Sequence, residues 1–130
     1  MIVVFDTGVW VSALEYGGVP QQAISHAFNE EQLAVSGYIE AEILRILTVK
    51  FDHDPIALQI RLDEFLTHAI IVETRGEISG VCHDPDDDAI LETAWKAQAD
   101  YLVAGDKELL ALKEFRGIAI VTPAAYLRLT

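Results

Sequence analysis

Carboxylates follow short apolar segments of this chain, at positions where they could do chemistry. Asp6 closes the apolar run Ile2–Phe5, and Asp106 follows the segment Tyr101–Ala104 after one glycine. A third group of acids, Asp84–Asp88, precedes another apolar stretch. Carboxylate oxygens are hard ligands that suit Mg²⁺ or Mn²⁺, and such ions can activate water for attack on a phosphodiester. This chemistry needs no serine, cysteine or histidine nucleophile, and the sequence offers no persuasive triad of those residues.

The triplet Asp6-Thr7-Gly8 also matches the motif around the catalytic carboxylate of aspartic proteases. Those enzymes carry the triplet on a β-rich fold and pair it with a second copy. In this chain the triplet runs into a helical pattern, and apolar strands alternate with helices throughout. The sequence therefore argues against a protease.

The helical pattern after "DPDDD" selects one of its acids. Apolar residues lie three, four and seven positions after Asp87, which places Asp87 on the apolar stripe of the expected helix. Asp86 and Asp88 point roughly a quarter-turn or more to either side. Because a buried carboxylate costs free energy unless it meets a cation or donors, we expect Asp87 to be the inward acid of a metal site.

Two glutamates on the strongly apolar helix expected from about Ile39 to Phe51 are further candidates. The apolar residues of this helix surround it so widely that their spacing does not decide which glutamate faces the core. The pattern alone slightly favours Glu40 over Glu42.

Each acid also has a purely structural interpretation. An aspartate after a strand often caps the next helix, and acids in a first helical turn complement the helix dipole. Asp6 and Asp106 carry more weight together, because ligands of parallel α/β sheets bind beyond the carboxyl ends of the strands. Ser36, which follows the second apolar segment, belongs to the same edge.

Short strands alternating with helices must position these side chains. The expected strands are 2–5, 33–36, 69–73, 101–104 and 118–121, and the expected helices are 9–16, 20–30, 39–51, 54–68, 87–99, a short one after 106 and one from 123. This alternation predicts an α/β fold whose central parallel sheet is flanked by helices. The stretch from Thr74 into "DPDDD" is the longest irregular piece.

Composition limits the classes of protein that remain. The chain has 130 residues, 52% of them hydrophobic, which favours one domain with a substantial core. No apolar run approaches the roughly 20 residues of a membrane span, and the N-terminal segment does not resemble a signal peptide. The single cysteine, Cys82, excludes an internal disulfide, and neither it nor the four histidines show zinc-ligand spacing. We expect a cytoplasmic protein that is not associated with a membrane.

The net charge of −12 argues against a nucleic-acid partner when it is considered alone, because such proteins usually present a basic surface. A carboxylate cluster that holds divalent cations would reverse the local field and receive a phosphate. Arg45, Lys50, Lys107 and Lys113 are candidates for additional phosphate contacts, although exposed lysines are usually only solvated.

Four blocks of the sequence together resemble the PIN-domain nucleases, in the branch that contains toxins of toxin–antitoxin pairs. The blocks are "VVFDTGVWVSAL", "SGYIEAEI", "DPDDDAILETA", and "YLVAGDKELL" with "GIAIVTPAAYL" behind it. They stand in family order and cover nearly the whole chain. The resemblance implies a single PIN-like domain over residues 1–130 with a three-layer α/β fold. It also implies a Mg²⁺- or Mn²⁺-dependent ribonuclease acting on single-stranded RNA, with a small antitoxin as partner; a homodimer is compatible with it.

The resemblance assigns both catalysis and metal binding to Asp6, Glu42, Asp87 and Asp106, and so prefers Glu42 to Glu40. Two positions depart from the family pattern. Gly8 stands where most relatives carry Asn, and Ala104 stands where Thr or Ser is usual. Both changes remove hydrogen bonds next to the ligands, and such losses typically reduce metal affinity or activity about 10–100-fold. We expect an active but weakened enzyme.

Two alternatives remain open. One is a Mg²⁺-dependent phosphatase of an α/β fold, although such enzymes usually carry a second acid two residues after the nucleophile, where this chain has Gly8. The other is a catalytically weak or inactive PIN-like binding module whose acids serve as helix caps.

Overall fold

The computed structural model describes residues 1–130 as a six-stranded sheet with seven helices. The strands are β1 Ile2–Phe5, β2 Gln32–Ser36, β3 Ile70–Val72, β4 Tyr101–Val103, β5 Glu114–Phe115 and β6 Ile118–Val121. The helices are α1 Thr7–Tyr16, α2 Gly18–Glu30, α3 Gly37–Val49, α4 Pro55–Leu66, α5 Pro85–Lys96, α6 Lys107–Leu112 and α7 Pro123–Leu129. None of the helices is long and apolar enough to cross a lipid bilayer.

The sheet has the order β3-β2-β1-β4-β6-β5, with β1 and β4 at its centre. All neighbouring pairs are parallel except β5 and β6, which pair antiparallel. The register places Phe5 beside Val103, so β1 and β4 end together. The prediction of an α/β fold with a parallel sheet flanked by helices is therefore confirmed. Asp6 and Asp106 leave the sheet at this shared edge.

The sequence pattern missed β5, a two-residue strand joined to β6 by a tight turn. Arg116 and Gly117 form the turn, and both have positive φ, at 51° and 84°. Two positive φ values are typical of the type I′ hairpin, for which Asn-Gly is the strong sequence signal. Arg is an unusual first residue for this turn, so the signal in the sequence is weak.

The core covers both faces of the central strand. Val3, Val4 and Phe5 are all fully buried, as the continuous apolar run of a parallel strand predicts. Trp10 and Tyr126 are also fully buried and contact the Phe5 ring edge-on, with ring centroids 6.2 and 5.9 Å away. Both are thus core residues.

Two buried acids of α5 accept hydrogen bonds from backbone amides of the irregular segment 74–84 and hold that segment against the helix. Asp88 accepts hydrogen bonds from the amides of Gly80 and Cys82 at 3.0 and 2.8 Å. Glu92 accepts from the amides of Arg75 and Ile78. These bonds anchor the segment along α5.

Asp87 is buried, and Asp88, which the helical pattern places roughly a quarter-turn or more to one side, is buried as well, with 5% of its surface exposed. The segment 74–84 covers the side of α5 on which Asp88 lies, and its amides supply the donors that a buried carboxylate requires. The apolar stripe of α5 does not predict that the segment 74–84 packs on this side of the helix. Burial raises the pKa of Glu92, but the donated backbone hydrogen bonds outweigh it and the net pKa is lowered.

Candidate functional site

A cavity of about 460 Å³ opens at the edge of the sheet where β1 and β4 end. Five acids contribute to its lining: Asp6, Glu42, Asp86, Asp87 and Asp106. No lysine, arginine or histidine contributes to it. We call it the carboxylate cavity. The structure thus brings all four predicted site acids to one place.

Asp6 is delivered to the cavity by β1 and is fixed by backbone amides. Its amide donates to Val103 O at 2.9 Å, which ties the end of β1 to β4. Its Oδ1 accepts from the Val9 amide at 2.7 Å and its Oδ2 from the Gly105 amide at 3.1 Å. Burial raises the pKa of Asp6, while these amides act in the opposite direction. Asp6 therefore caps α1, as the structural interpretation holds, and lines the cavity as well.

Asp87 and Asp106 lie next to each other in the cavity, with carboxylate oxygens within 4.8 Å of each other. Burial raises the pKa of Asp87 to about 7, and the negative charge of Asp106 contributes next. Without a cation, Asp87 therefore keeps its proton up to near neutral pH. Asp106 also caps α6, since its Oδ2 accepts from the Leu109 amide at 3.0 Å.

Glu108 adds a carboxylate that the sequence analysis did not select. Carboxylate oxygens of Asp87, Asp106 and Glu108 all lie within 4.8 Å of one another. Oε1 of Glu108 also accepts from the His83 amide at 2.6 Å, so this side chain holds the end of the segment 74–84. The i, i+2 spacing from Asp106 at a helix start was the available signal in the sequence.

The two candidate glutamates of α3 face different neighbours. Glu42 lines the carboxylate cavity and forms a salt bridge with Arg45, with 3.0 Å between Nη2 and Oε2. Glu40 is directed to α4, where its Oε1 accepts from Gln59 Nε2 at 3.3 Å. The slight preference of the helical pattern for Glu40 is therefore not matched by the geometry of the cavity. The apolar surface of α3 is wide because the helix packs against α1, α4 and β2. The apolar pattern therefore does not show which side of α3 faces the cavity.

Tyr38 and Asp86 form a hydrogen bond between α3 and α5, and both line the cavity. Burial and this bond raise the pKa of the Tyr38 hydroxyl above its usual range. The sequence singles out neither side chain, because a tyrosine beside a helix start and an exposed acid carry no specific signal.

Three other positions near strand ends, Ser36, Ala104 and Gly8, differ in whether they line the cavity. Ser36 is fully buried; its Oγ caps α3 through the Ile39 amide at 3.2 Å and accepts from Thr93 at 2.8 Å. It does not line the cavity. Ala104 is also fully buried and does not line it. Gly8 does, and a Cβ placed there would meet only Asp6 Oδ1, at 3.6 Å. Position 8 therefore has room for a larger side chain.

The donors of the cavity fit a divalent cation that prefers oxygen ligands. The ionisable groups in its lining are four aspartates, one glutamate and Tyr38, with no nitrogen or sulfur side chain among them. Thr7 contributes a buried hydroxyl that has no hydrogen-bond partner in the protein. Excess negative charge and an unpaired buried hydroxyl are both features that a bound hydrated cation would satisfy.

Comparison with known proteins gives a family match and a likeness to solved structures. The family model described as "PIN domain" matches residues 2–108. The fold is similar to a chain of a crystal structure of VapBC2 from Rickettsia felis bound to a DNA fragment from their promoter. That match has a TM-score of 0.62 and 17% identity, and covers 92% of this chain and 97% of the other. Comparison with curated proteins gives no significant match. At this identity the structural likeness speaks for the fold alone.

Proposed function

This chain belongs to the PIN-domain family, and on that premise we propose that it is a metal-dependent endoribonuclease. The observation that carries the proposal is the convergence of Asp6, Glu42, Asp87 and Asp106 in one cavity free of cationic side chains. These are the acids that the family resemblance selects from the sequence.

The metal in this proposal is Mg²⁺ or Mn²⁺, held by Asp6, Glu42, Asp87 and Asp106. When bound, such an ion activates water and offsets the charge that develops in phosphodiester hydrolysis. Glu108 is a further candidate ligand, since its carboxylate reaches the Asp87–Asp106 pair.

The chain's own residues then have separable tasks. Backbone amides of Val9 and Gly105 fix both oxygens of Asp6, so this carboxylate is oriented before anything binds. Asp87, whose pKa is raised to about 7, must release its proton before its carboxylate can bind a cation. The unpaired Thr7 hydroxyl supplies a donor or acceptor inside the cavity. The cavity opens to solvent at the end of the sheet, where we place the entry of the extended nucleic-acid strand.

Single-stranded RNA is the substrate class that we propose, and a small antitoxin protein is the partner. Both follow from the resemblance to the toxin branch of the family. The similar crystal structure is itself of VapBC2 bound to promoter DNA, which supports a partner protein.

A substrate panel tests the proposal. Wild-type protein is incubated with unstructured RNA, fully paired RNA, single-stranded DNA and a phosphomonoester, each with Mg²⁺, Mn²⁺ or EDTA. We expect internal cleavage of the unstructured RNA with either metal and none with EDTA. Hydrolysis of the phosphomonoester alone would identify a phosphatase instead, and no turnover of any substrate would indicate a binding module.

A further inference from the structure

Arg45 is the one cationic side chain bonded to an acid of the carboxylate cavity. Its Nη2 lies 3.0 Å from Glu42 Oε2 and its Nε lies 3.3 Å from Glu42 Oε1. Both oxygens of Glu42 are therefore engaged by one guanidinium. The other cations that the sequence suggested for phosphate contacts, Lys50, Lys107 and Lys113, form no salt bridge and do not line the cavity.

Arg45 stands at the rim of the cavity rather than inside it. Its side chain is 56% exposed, whereas that of Glu42 is 21% exposed. The charges of Glu42 and Asp86 both act on the guanidinium, and Asp86 lies on the opposite helix, α5. The guanidinium is therefore accessible to a phosphate that approaches the cavity from solvent.

Glu42 faces two competing demands in this arrangement. A carboxylate held through both oxygens by a guanidinium has reduced capacity to bind a metal ion. The competition is mild, because an exposed ion pair contributes little free energy. Arginine also matches a phosphate in the same two-pronged geometry in which it binds a carboxylate. The exchange of one anion for the other therefore costs little.

We propose that Arg45 exchanges partners during function: it pairs with Glu42 in the metal-free protein and binds a phosphate of the RNA strand once a divalent cation holds Glu42. This inference rests on the proposed nuclease function. It gives Arg45 two effects of opposite sign, since it opposes metal binding and promotes substrate binding. A residue that merely orients Glu42 would promote both.

Arg45→Gln separates these roles, and Arg75→Gln is the matched control. Arg75 also pairs with an acid of its own segment, Glu73 at 3.1 Å, and is likewise largely exposed, but it does not line the cavity. Calorimetric titration with Mn²⁺ in the absence of RNA should show binding about two- to fivefold tighter for Arg45→Gln than for wild type.

The RNA readouts should change in the opposite direction. KM for a labelled single-stranded RNA should rise several-fold in Arg45→Gln while kcat is largely kept. The slope of log(kcat/KM) against log salt should become shallower by about 0.7, as expected for one lost phosphate contact to a single strand. Arg75→Gln should match wild type in the metal and RNA measurements.

Weaker Mn²⁺ binding by Arg45→Gln would overturn the inference, because it would make Arg45 a support for Glu42. Unchanged metal affinity together with an unchanged salt slope would overturn it as well. If the wild type binds Mn²⁺ but cleaves no RNA, the nuclease proposal fails, and the salt dependence of RNA binding by fluorescence anisotropy still decides the role of Arg45. A wild type that binds no Mn²⁺ overturns both.

Discussion

At the scale of single residues, the raised pKa of Asp87 makes the stability of the metal-free protein depend on pH. Burial and the charge of Asp106 raise the pKa of Asp87 to about 7, above its value of about 3.9 in an unfolded chain. A raised pKa means that the folded state binds the proton more tightly. The resulting stabilisation is complete below the unfolded pKa and is lost as pH rises through about 7.

We therefore predict that Asp87→Asn melts a few degrees higher than wild type at pH 8 in EDTA. At that pH the wild-type carboxylate is ionised beside Asp106, whereas the amide is neutral. The difference should narrow as the pH falls below about 7 and approach zero only at about pH 3.9, where the carboxyl group is protonated in the unfolded chain as well. Thermal unfolding followed by circular dichroism at each pH gives the difference in melting temperature, and a difference that does not vary with pH would contradict the raised pKa of Asp87.

Substitution of Gly8 by the asparagine that the family pattern carries should increase ribonuclease activity. A Cβ at position 8 meets only Asp6 Oδ1, at 3.6 Å, and Gly8 lines the carboxylate cavity. We therefore expect an asparagine to be tolerated there, with its amide close to the cavity acids. We expect Gly8→Asn to raise kcat/KM for RNA about tenfold, the lower end of what loss of such a hydrogen bond costs. Gly8→Ala, which gains the helix propensity but not the amide, should leave activity near the wild-type level. Equal gains in the two variants would show that helix stability is the cause.

The predictability of the site also differs from residue to residue. Asp6 and Asp106 follow from strand ends, and Asp87 follows from the apolar stripe, because each depends on local spacing. The burial of Asp88 depends on a segment that has no periodic pattern. The choice between Glu42 and Glu40 depends on which way α3 is turned, which its apolar composition does not reveal. The catalytic and metal-binding roles of all four acids stay predictions.

At the scale of elements, α5 both carries Asp87 and anchors the segment 74–84. Glu92 is 1% exposed and accepts from the amides of Arg75 and Ile78. Removal of a partner leaves buried donors unsatisfied, at about 1–3 kcal/mol each. We predict that Glu92→Ala lowers the free energy of unfolding by about 2–5 kcal/mol in urea denaturation, since it leaves two donors without partners.

Exposed Glu73 supplies the control, because its partner, Arg75, is exposed as well. Glu73→Ala should change the free energy of unfolding by no more than about 0.5 kcal/mol. Limited proteolysis should cut Glu92→Ala within residues 74–84 earlier than wild type. Equal stability of the two variants would mean that solvent readily replaces Glu92.

Most elements were predictable because their apolar periods and boundary signals are local. Pro55 and Pro123 stand at the starts of α4 and α7, and Gly17 follows the end of α1. The strand β5 was not predictable, because it is two residues long and its turn carries Arg at the first position. The hydrogen bonds that hold segment 74–84 against α5 were not predictable either, because the backbone amides of an irregular segment leave no pattern in the side chains.

At the scale of the whole molecule, a net charge of −12 has to be reconciled with an RNA substrate. Five of the acids converge in a cavity without cationic side chains, so bound divalent ions would be the main local positive charge. Nucleic-acid binding at this site should therefore depend on metal rather than on a basic surface.

The most direct test compares wild type with Asp6→Asn and Asp100→Asn in cleavage of one unstructured RNA. Asn can still cap α1, so Asp6→Asn should fold while losing a carboxylate of the cavity. Asp100 bonds the Ile2 amide at 2.8 Å at the opposite end of β1, and its substitution should not affect cleavage. We predict that wild type and Asp100→Asn cut the RNA with Mn²⁺, stop in EDTA and resume when Mn²⁺ is restored, whereas folded Asp6→Asn is at least about 100-fold slower. Cleavage by Asp6→Asn at the wild-type rate, or by wild type in EDTA, would contradict the account.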